Sequence, residues 1–104
     1  MTTAAASILT DEERAIVAAY RVAVAKRDRL DVAESRAFVA YFCDRTASRA
    51  STARSAKSRV NAFSAEFHRI EGTVYDLMDA LADDGRLPAV YHYDPARFAE
   101  EVTN

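Results

Sequence analysis

Apolar residues recur at alternating steps of three and four between positions 60 and 81. The series consists of Val60, Phe63, Phe67, Ile70, Val74, Leu77 and Leu81. This spacing is typical of an α-helix whose apolar seam repeats about every 3.5 residues and lies along partner helices. One helix cannot cover such a stripe alone, so the pattern predicts packing against helices of the same chain or of a second copy.

A first helix is predicted from Thr10 to about Asp28, after a small polar tail at residues 1–7 that we expect to be frayed. Thr10 and Glu13 form a T-x-x-E capping box, in which each side chain accepts a hydrogen bond from the other residue's backbone N–H. One face of this helix is apolar. It contains Ile16, Val17, Tyr20, Ala23 and Val24.

A second helix is predicted to begin at Asp31, because Asp31 and Glu34 repeat the capping arrangement after a very short turn. Its core side would contain Ala37, Phe38, Tyr41 and Phe42. The link Arg27–Arg29 contains neither Gly nor Pro, so one continuous bent helix is the alternative.

A long third helix is predicted to contain the apolar seam. Ser51 or Thr52 would cap it, and it would run to Asp84, about 45 Å at 1.5 Å per residue. Gly85 follows as a C-terminal stop. Continued backward, the heptad places two small residues on the seam, Ala53 and Ala56.

The remaining segment, residues 86–104, is predicted to begin extended and to end in a short helix. Asp94 would cap that helix, Pro95 would take its first position, and Phe98 and Val102 would dock on the core. The extended part carries apolar residues that we expect to lie over the other helices. These are Leu87, Val90, Tyr91 and Tyr93.

The composition supports a helical fold, since the chain is half hydrophobic and contains only two Gly and two Pro. We therefore predict one all-α domain over residues 1–104, a small helical bundle of three main helices plus a short C-terminal helix. Cys43 is the only cysteine, which excludes an internal disulfide and favours a small buried side chain in a reducing compartment. No run of 18 apolar residues occurs, so we expect a cytoplasmic protein without membrane contact.

The charges are unevenly distributed along the chain. Five basic residues and no acid occur between positions 45 and 65, namely Arg45, Arg49, Arg54, Lys57 and Arg59. The segment from position 71 to position 104 contains eight acidic residues and only two basic ones. Arginine among Ser and Thr is suited to phosphate oxygens, and a helical projection places Arg45, Arg49 and Arg59 within about 80° of one another. The alternative is a solvated helix face that pairs with the acidic third of the chain.

Signatures of catalysis are missing from the sequence. His68 and His92 do not form an H-E-x-x-H metal motif, and two glycines do not make a phosphate-binding loop. We therefore expect no enzymatic activity, no metal and no cofactor.

The N-terminal segment carries a resemblance. Leu9-Thr10-Asp11, followed by the run from Ala15 to Arg21, resembles the opening of small helical phage anti-CRISPR proteins that act on type I-E systems. The resemblance covers about an eighth of the chain. It implies a non-enzymatic inhibitor that blocks a Cas protein or its nucleic-acid site, and it carries no functional residues over to this chain.

These observations favour a non-enzymatic binding protein, an inhibitor or adaptor that acts through its helical surface on a protein partner such as a Cas complex. The alternative is a nucleic-acid-binding regulator that uses the basic segment 45–59. We also expect a homodimer, in which the long third helix extends beyond its partners and pairs with a second chain.

Overall fold

The computed structural model describes residues 9–87 and 94–102, and these ranges contain helices and no strand. Helix α1 spans Asp11–Cys43 (33 residues), α2 spans Ala47–Asp83 (37 residues) and α3 spans Pro95–Val102 (8 residues). The all-α class predicted from the sequence is confirmed. The expected extended segment through Val90, Tyr91 and Tyr93, with His92, lies outside the described residues.

The capping box at the start of α1 is present as predicted. The backbone N–H of Thr10 donates to Oε1 of Glu13 at 2.8 Å, and the backbone N–H of Glu13 donates to Oγ1 of Thr10 at 3.1 Å. Two N–H groups that the helix itself leaves without a partner are satisfied in this way. Glu13 is thereby held close to the beginning of the helix.

The predicted break between the first and second helices is wrong, because α1 continues through Asp31 to Cys43. The link Arg27–Arg29 has no residue that breaks a helix, so hydrogen bonding continues along the backbone. Asp31 is an exposed residue within the helix and caps nothing. The alternative of one continuous helix is the arrangement observed, and the described chain has two long helices and one short one.

The second long helix, α2, starts earlier than predicted, since the sequence interpretation placed its cap at Ser51 or Thr52. The helix begins at Ala47, and Oγ1 of Thr46 accepts a hydrogen bond from the backbone N–H of Arg49 at 3.2 Å. The Ala-rich and Ser-rich segment after it can be helical because its small residues pack closely. Two of them are buried as the backward heptad predicts, Ala53 and Ala56.

The end of α2 follows the glycine signal. Gly85 has a φ of +71°, a left-handed conformation that residues with a side chain rarely adopt. Its N–H donates to the carbonyl of Ala82 at 3.0 Å, and the N–H of Arg86 donates to the carbonyl of Leu81 at 2.7 Å. These two bonds make a Schellman motif, which closes the helix after Asp83.

The chain divides into two compact units, one made of residues 9–22, 68–87 and 94–102 and the other of residues 23–67. In the first unit, side chains of all three helices are buried. They are Val17, Tyr20, Val74, Leu77, Met78, Leu81, Phe98, Ala99 and Val102. The predicted cap of α3 is confirmed, since Oδ1 of Asp94 accepts from the N–H of Arg97 at 3.2 Å. The single-domain organisation stays a prediction.

The second unit is a hairpin of two antiparallel helix segments joined by residues 44–46. Lys26 Nζ lies 4.4 Å from the ring centroid of Phe63, and the guanidinium carbon of Arg27 lies 4.3 Å from that of Phe67. Both rings are buried and belong to the predicted seam. The two cationic groups thus lie within the distance at which a cation is attracted to an aromatic ring face.

Two small residues near the start of α2 are buried in the second unit. The beginning of α2 does not extend free of its partner, because Ala53 and Ala56 are buried within the chain. The homodimer expected from the long third helix stays a prediction.

Candidate functional site

Three aromatic side chains meet in the last turns of α1, at the closed end of the hairpin. The ring centroids of Phe38 and Phe42 are 6.3 Å apart, and those of Tyr41 and Phe42 are 5.8 Å apart. Both distances lie in the range of favourable aromatic pairs, about 4.5–7 Å. Because successive residues of a helix point in different directions, these rings form a band around the end of α1 rather than one flat surface.

Arg45 completes this group from the link between the helices. Its guanidinium carbon lies 5.5 Å from the ring centroid of Phe42 and 6.0 Å from that of Tyr41. A cation within about 6 Å of a ring centroid is attracted to the ring face. Phe38, Tyr41, Phe42 and Arg45 are called the hairpin-end cluster below. It combines aromatic surface with a positive charge that remains exposed.

Phe42 is the most exposed of the three aromatic residues in the cluster. Its predicted position on the core side of the helix is wrong. Its side chain is 62 % exposed, whereas Phe38 and Tyr41 are half-buried. Adjacent residues on a helix are about 100° apart, so Tyr41 and Phe42 cannot both face α2. Tyr41 takes the inner position, and Phe42 is directed outward.

Phe42 belongs to a second pattern that the sequence interpretation missed. Val32, Ser35, Val39 and Phe42 follow one another at steps of three, four and three, and all four are exposed. Val39 is 61 % and Val32 48 % exposed. These four residues are called the outer stripe of α1 below. The three–four spacing is a readable signal in the sequence, but Ser35 interrupts the apolar series and the sequence prediction places Phe42 in the core.

The five basic residues predicted as a contact surface are all exposed, but the structure does not bring them together. Arg45 lies in the link and not in α2, so the helical projection that grouped it with Arg49 and Arg59 is wrong. Arg49 is held by Asp44, whose Oδ2 lies 3.4 Å from its Nε. Arg59 follows Arg49 by about 15 Å along the helix axis.

Among the basic residues predicted as a contact surface, Arg54 and Lys57 are the one pair on α2 at the i, i+3 spacing that places two side chains on the same side of a helix. They are three residues apart in the helix, which places them about 60° apart and roughly 5 Å along the axis. Arg59 points elsewhere and borders an open groove with Lys26 and Glu66. The basic segment therefore offers one neighbouring pair of charges and several separate ones.

Cys43 and His68 belong to no metal-binding group in the described chain. Cys43 is exposed at the end of α1, so its predicted burial is wrong. Cys43 is the last residue of α1 and lies next to the exposed link at residues 44–46. Within residues 9–87 and 94–102, His, Cys, Asp and Glu form no group of three that could hold a metal ion.

An ion pair between Glu13 and Arg86 lies in the first unit, at the start of α1. Arg86 Nη2 lies 3.2 Å from Oε2 of Glu13, whose other oxygen accepts from the N–H of Thr10. The hydrogen bond from Thr10, aided by the charge and hydrogen bonds of Arg86, lowers the pKa of Glu13 below its ordinary value. Arg86 also contacts Asp84 at 3.1 Å, and its own pKa is raised, first through Glu13.

The fold and its surface define an all-α protein with an exposed aromatic and basic hairpin end. None of the helices within residues 9–87 and 94–102 combines the length and the apolar character needed to cross a bilayer. Comparison with protein-family models, with curated proteins and with solved structures finds no match to this chain.

Proposed function

We propose that the protein is a small binding protein without catalytic activity, an inhibitor or adaptor that acts through its helical surface. One observation carries the proposal: Phe42 and Val39 are about three-fifths exposed, and the guanidinium of Arg45 lies over the ring of Phe42. An exposed aromatic group flanked by arginine is the composition found at the energetic centres of protein interfaces. Phe42 would be the anchor, and Arg45 would contact an acidic group of the partner.

The same proposal includes the setting of the protein and the finer description of its fold. We take the helices to form a small bundle, because each unit buries apolar residues from more than one helix. We place the protein in the cytoplasm, where its exposed thiol at Cys43 would stay reduced. The resemblance of the N-terminal segment supports a Cas complex of a type I system as the protein partner.

Capture of the partner tests the anchor directly. Immobilised protein would be incubated with a purified type I-E Cas complex, and separately with nuclease-treated host lysate. We expect Phe42→Asp to abolish capture by removing the apolar contact and adding a charge. The matched control is Val22→Asp, because Val22 is an equally exposed apolar residue of α1 in the other unit. Equal loss, or no loss, in both variants would contradict a role for the hairpin-end cluster.

A second candidate is a nucleic-acid-binding regulator that uses the basic segment. It is supported by the exposure of Arg45, Arg49, Arg54, Lys57 and Arg59. With about two phosphates neutralised by the neighbouring pair Arg54 and Lys57, the logarithm of the affinity should fall against the logarithm of salt concentration with a slope of roughly −1.5 to −2. Fluorescence anisotropy with labelled single-stranded and double-stranded oligonucleotides measures this slope.

The neighbouring pair Arg54 and Lys57 gives the sharpest variant for this second candidate. Changing both to Glu should abolish oligonucleotide binding and leave helicity unchanged in circular dichroism, because both side chains are exposed. Absence of binding by the unaltered protein at tens of micromolar would remove the nucleic-acid candidate. Nuclease-resistant capture of a protein partner would be unaffected by that outcome.

A further inference from the structure

The outer stripe of α1 has the spacing of a helix-pairing surface and nothing in the described chain covers it. Its apolar members are Val32, Val39 and Phe42, with the small residue Ser35 between them. Side chains at three–four spacing lie along one side of a helix and can pack into the gaps of a facing helix. The stripe lies wholly within the second unit.

The order of residues in the stripe is suited to pairing with a copy of itself. Its steps of three, four and three read the same in both directions, so two antiparallel copies match position for position. Val32 then faces Phe42 of the second copy, and Ser35 faces Val39 of the second copy. Each layer contains one larger and one smaller side chain, which fills space without placing two Phe rings against each other.

The charges beside the stripe are complementary in the same antiparallel arrangement. Asp31 precedes Phe42 by 11 positions and lies only about 20° from it around the helix. Arg45 lies over the ring of Phe42, on the same flank. Antiparallel pairing therefore brings Asp31 of one copy beside Arg45 of the other, twice. Neither Asp31 nor Arg45 has an ion-pair partner among the residues that the structure describes.

We propose that a second copy of this chain binds the outer stripe of α1 in this antiparallel register. The proposal rests on the proposed function, because it takes the side chains of Val39 and Phe42 as a contact surface. The paired segment from Asp31 to Arg45 is only about 20 Å long, which is short for an interface of the standard 1,200–2,000 Å². The interface is therefore small, and we expect a weak dimer.

An exchange of charges tests the register. Sedimentation equilibrium over a concentration series gives the dimer dissociation constant for the unaltered full chain, Asp31→Arg, Arg45→Asp and the double variant. Each single change places like charges together and should weaken the dimer by about tenfold. The double change should restore it. Asp31 and Arg45 are too far apart within one chain to pair, so restoration reports a contact between copies.

Two further variants separate the stripe from the rest of the surface. Val39→Asp should abolish dimerisation, whereas Val22→Asp, at an exposed apolar position in the other unit, should leave the dissociation constant unchanged. Circular dichroism checks that every variant retains its helicity. Dimerisation unaffected by Val39→Asp would overturn the proposal, as would double-variant dimerisation no stronger than that of the single variants.

A chain that stays monomeric at all concentrations would also overturn self-pairing. That result is distinguishable from failure of the proposed function, because capture of a Cas complex depends on Phe42 and not on a second copy. Loss of capture in Phe42→Asp by a monomeric protein would assign the stripe to a different protein partner. Loss of oligonucleotide binding in Phe42→Asp, again by a monomeric protein, would assign the stripe to nucleic acid instead. In both cases it is the monomeric state that excludes the second copy as the occupant.

Discussion

Glu13 and Arg86 form an ion pair across 73 positions of the chain, with Nη2 of Arg86 3.2 Å from Oε2 of Glu13. The pair connects the first turn of α1 to the residue that follows the glycine at the end of α2. Glu13 thus has two roles, since its other oxygen accepts from the N–H of Thr10. A local helix cap and a long-range contact share one carboxylate.

The shared carboxylate predicts a stability change in acid. The pKa of Glu13 is lowered in the folded protein, so its contribution is fully present above its ordinary value of 4.5 and is lost as the pH falls through the lower folded value. We expect Glu13→Gln to be less stable than the unaltered protein at neutral pH and to lose less stability between pH 5 and pH 3. Urea unfolding at each pH measures this.

The control for this prediction is Glu12→Gln, which makes the same change of charge one residue earlier. Glu12 is exposed and makes no hydrogen bond or ion pair with the described residues. The Glu12→Gln variant should therefore show the same change of stability with pH as the unaltered protein between pH 5 and pH 3. An equally flattened profile in both variants would mean that general charge, and not the Glu13 contacts, determines the acid sensitivity.

One buried and one exposed phenylalanine of the hairpin should differ in how much their truncation to alanine lowers the stability of the protein. Phe67 is 4 % exposed beside Arg27, and Phe42 is 62 % exposed. Phe67→Ala should cost about 3–5 kcal/mol of unfolding free energy, because it leaves a cavity in the seam. Phe42→Ala should cost less than about 1 kcal/mol. Thermal and urea unfolding give both values, and similar losses would show that the seam is misplaced.

The two glycines should respond to alanine with opposite signs. Gly72 lies inside α2 with no atom within 4 Å of an added Cβ, so Gly72→Ala should stabilise the protein by about 0.5–1 kcal/mol through helix propensity. Gly85 has a φ of +71° at the end of α2, so Gly85→Ala should destabilise it by about 1 kcal/mol. Chemical denaturation of the two variants checks the signs; stabilisation by Gly85→Ala would contradict the left-handed helix end.

The start of α2 can be located by a pair of hydroxyl deletions. Thr46→Ala removes the acceptor for the N–H of Arg49 and should cost about 1 kcal/mol. Thr10→Ala should cost a similar amount at the start of α1. Ser51→Ala, inside the helix and exposed, should be neutral or slightly stabilising. If Ser51→Ala is the costly change in thermal unfolding, the helix starts later than Thr46.

Local signals determined most of what the sequence could predict. The T-x-x-E box at Thr10, the glycine at position 85 and the Asp-Pro start of α3 act through hydrogen bonds to residues a few positions away. Each motif therefore carries its own structural consequence. The break proposed at Asp31 failed because the same capping pattern also occurs on exposed helix surfaces, where neighbouring residues keep the helix continuous.

The candidate site was less predictable for a related reason. Assigning Phe42 to the core placed two adjacent residues, Tyr41 and Phe42, on the same side of one helix, and only Tyr41 takes the inner position. Arg45 could not be placed with Arg49 until the link between the helices was located. Contacts such as Arg86 with Glu13 depend on tertiary packing, so the sequence spacing alone contains no sign of them.

The short link at residues 44–46 has a consequence for the order in which the chain folds. Contacts that form next to this link close very small loops, whereas the Glu13–Arg86 pair closes a loop of more than 70 residues. Loop-closure entropy rises by about 0.6 kcal/mol for each doubling of length, and local contacts form fastest. Folding should therefore start where α1 meets α2 and proceed away from the link, with the Glu13–Arg86 bridge among the last contacts to form.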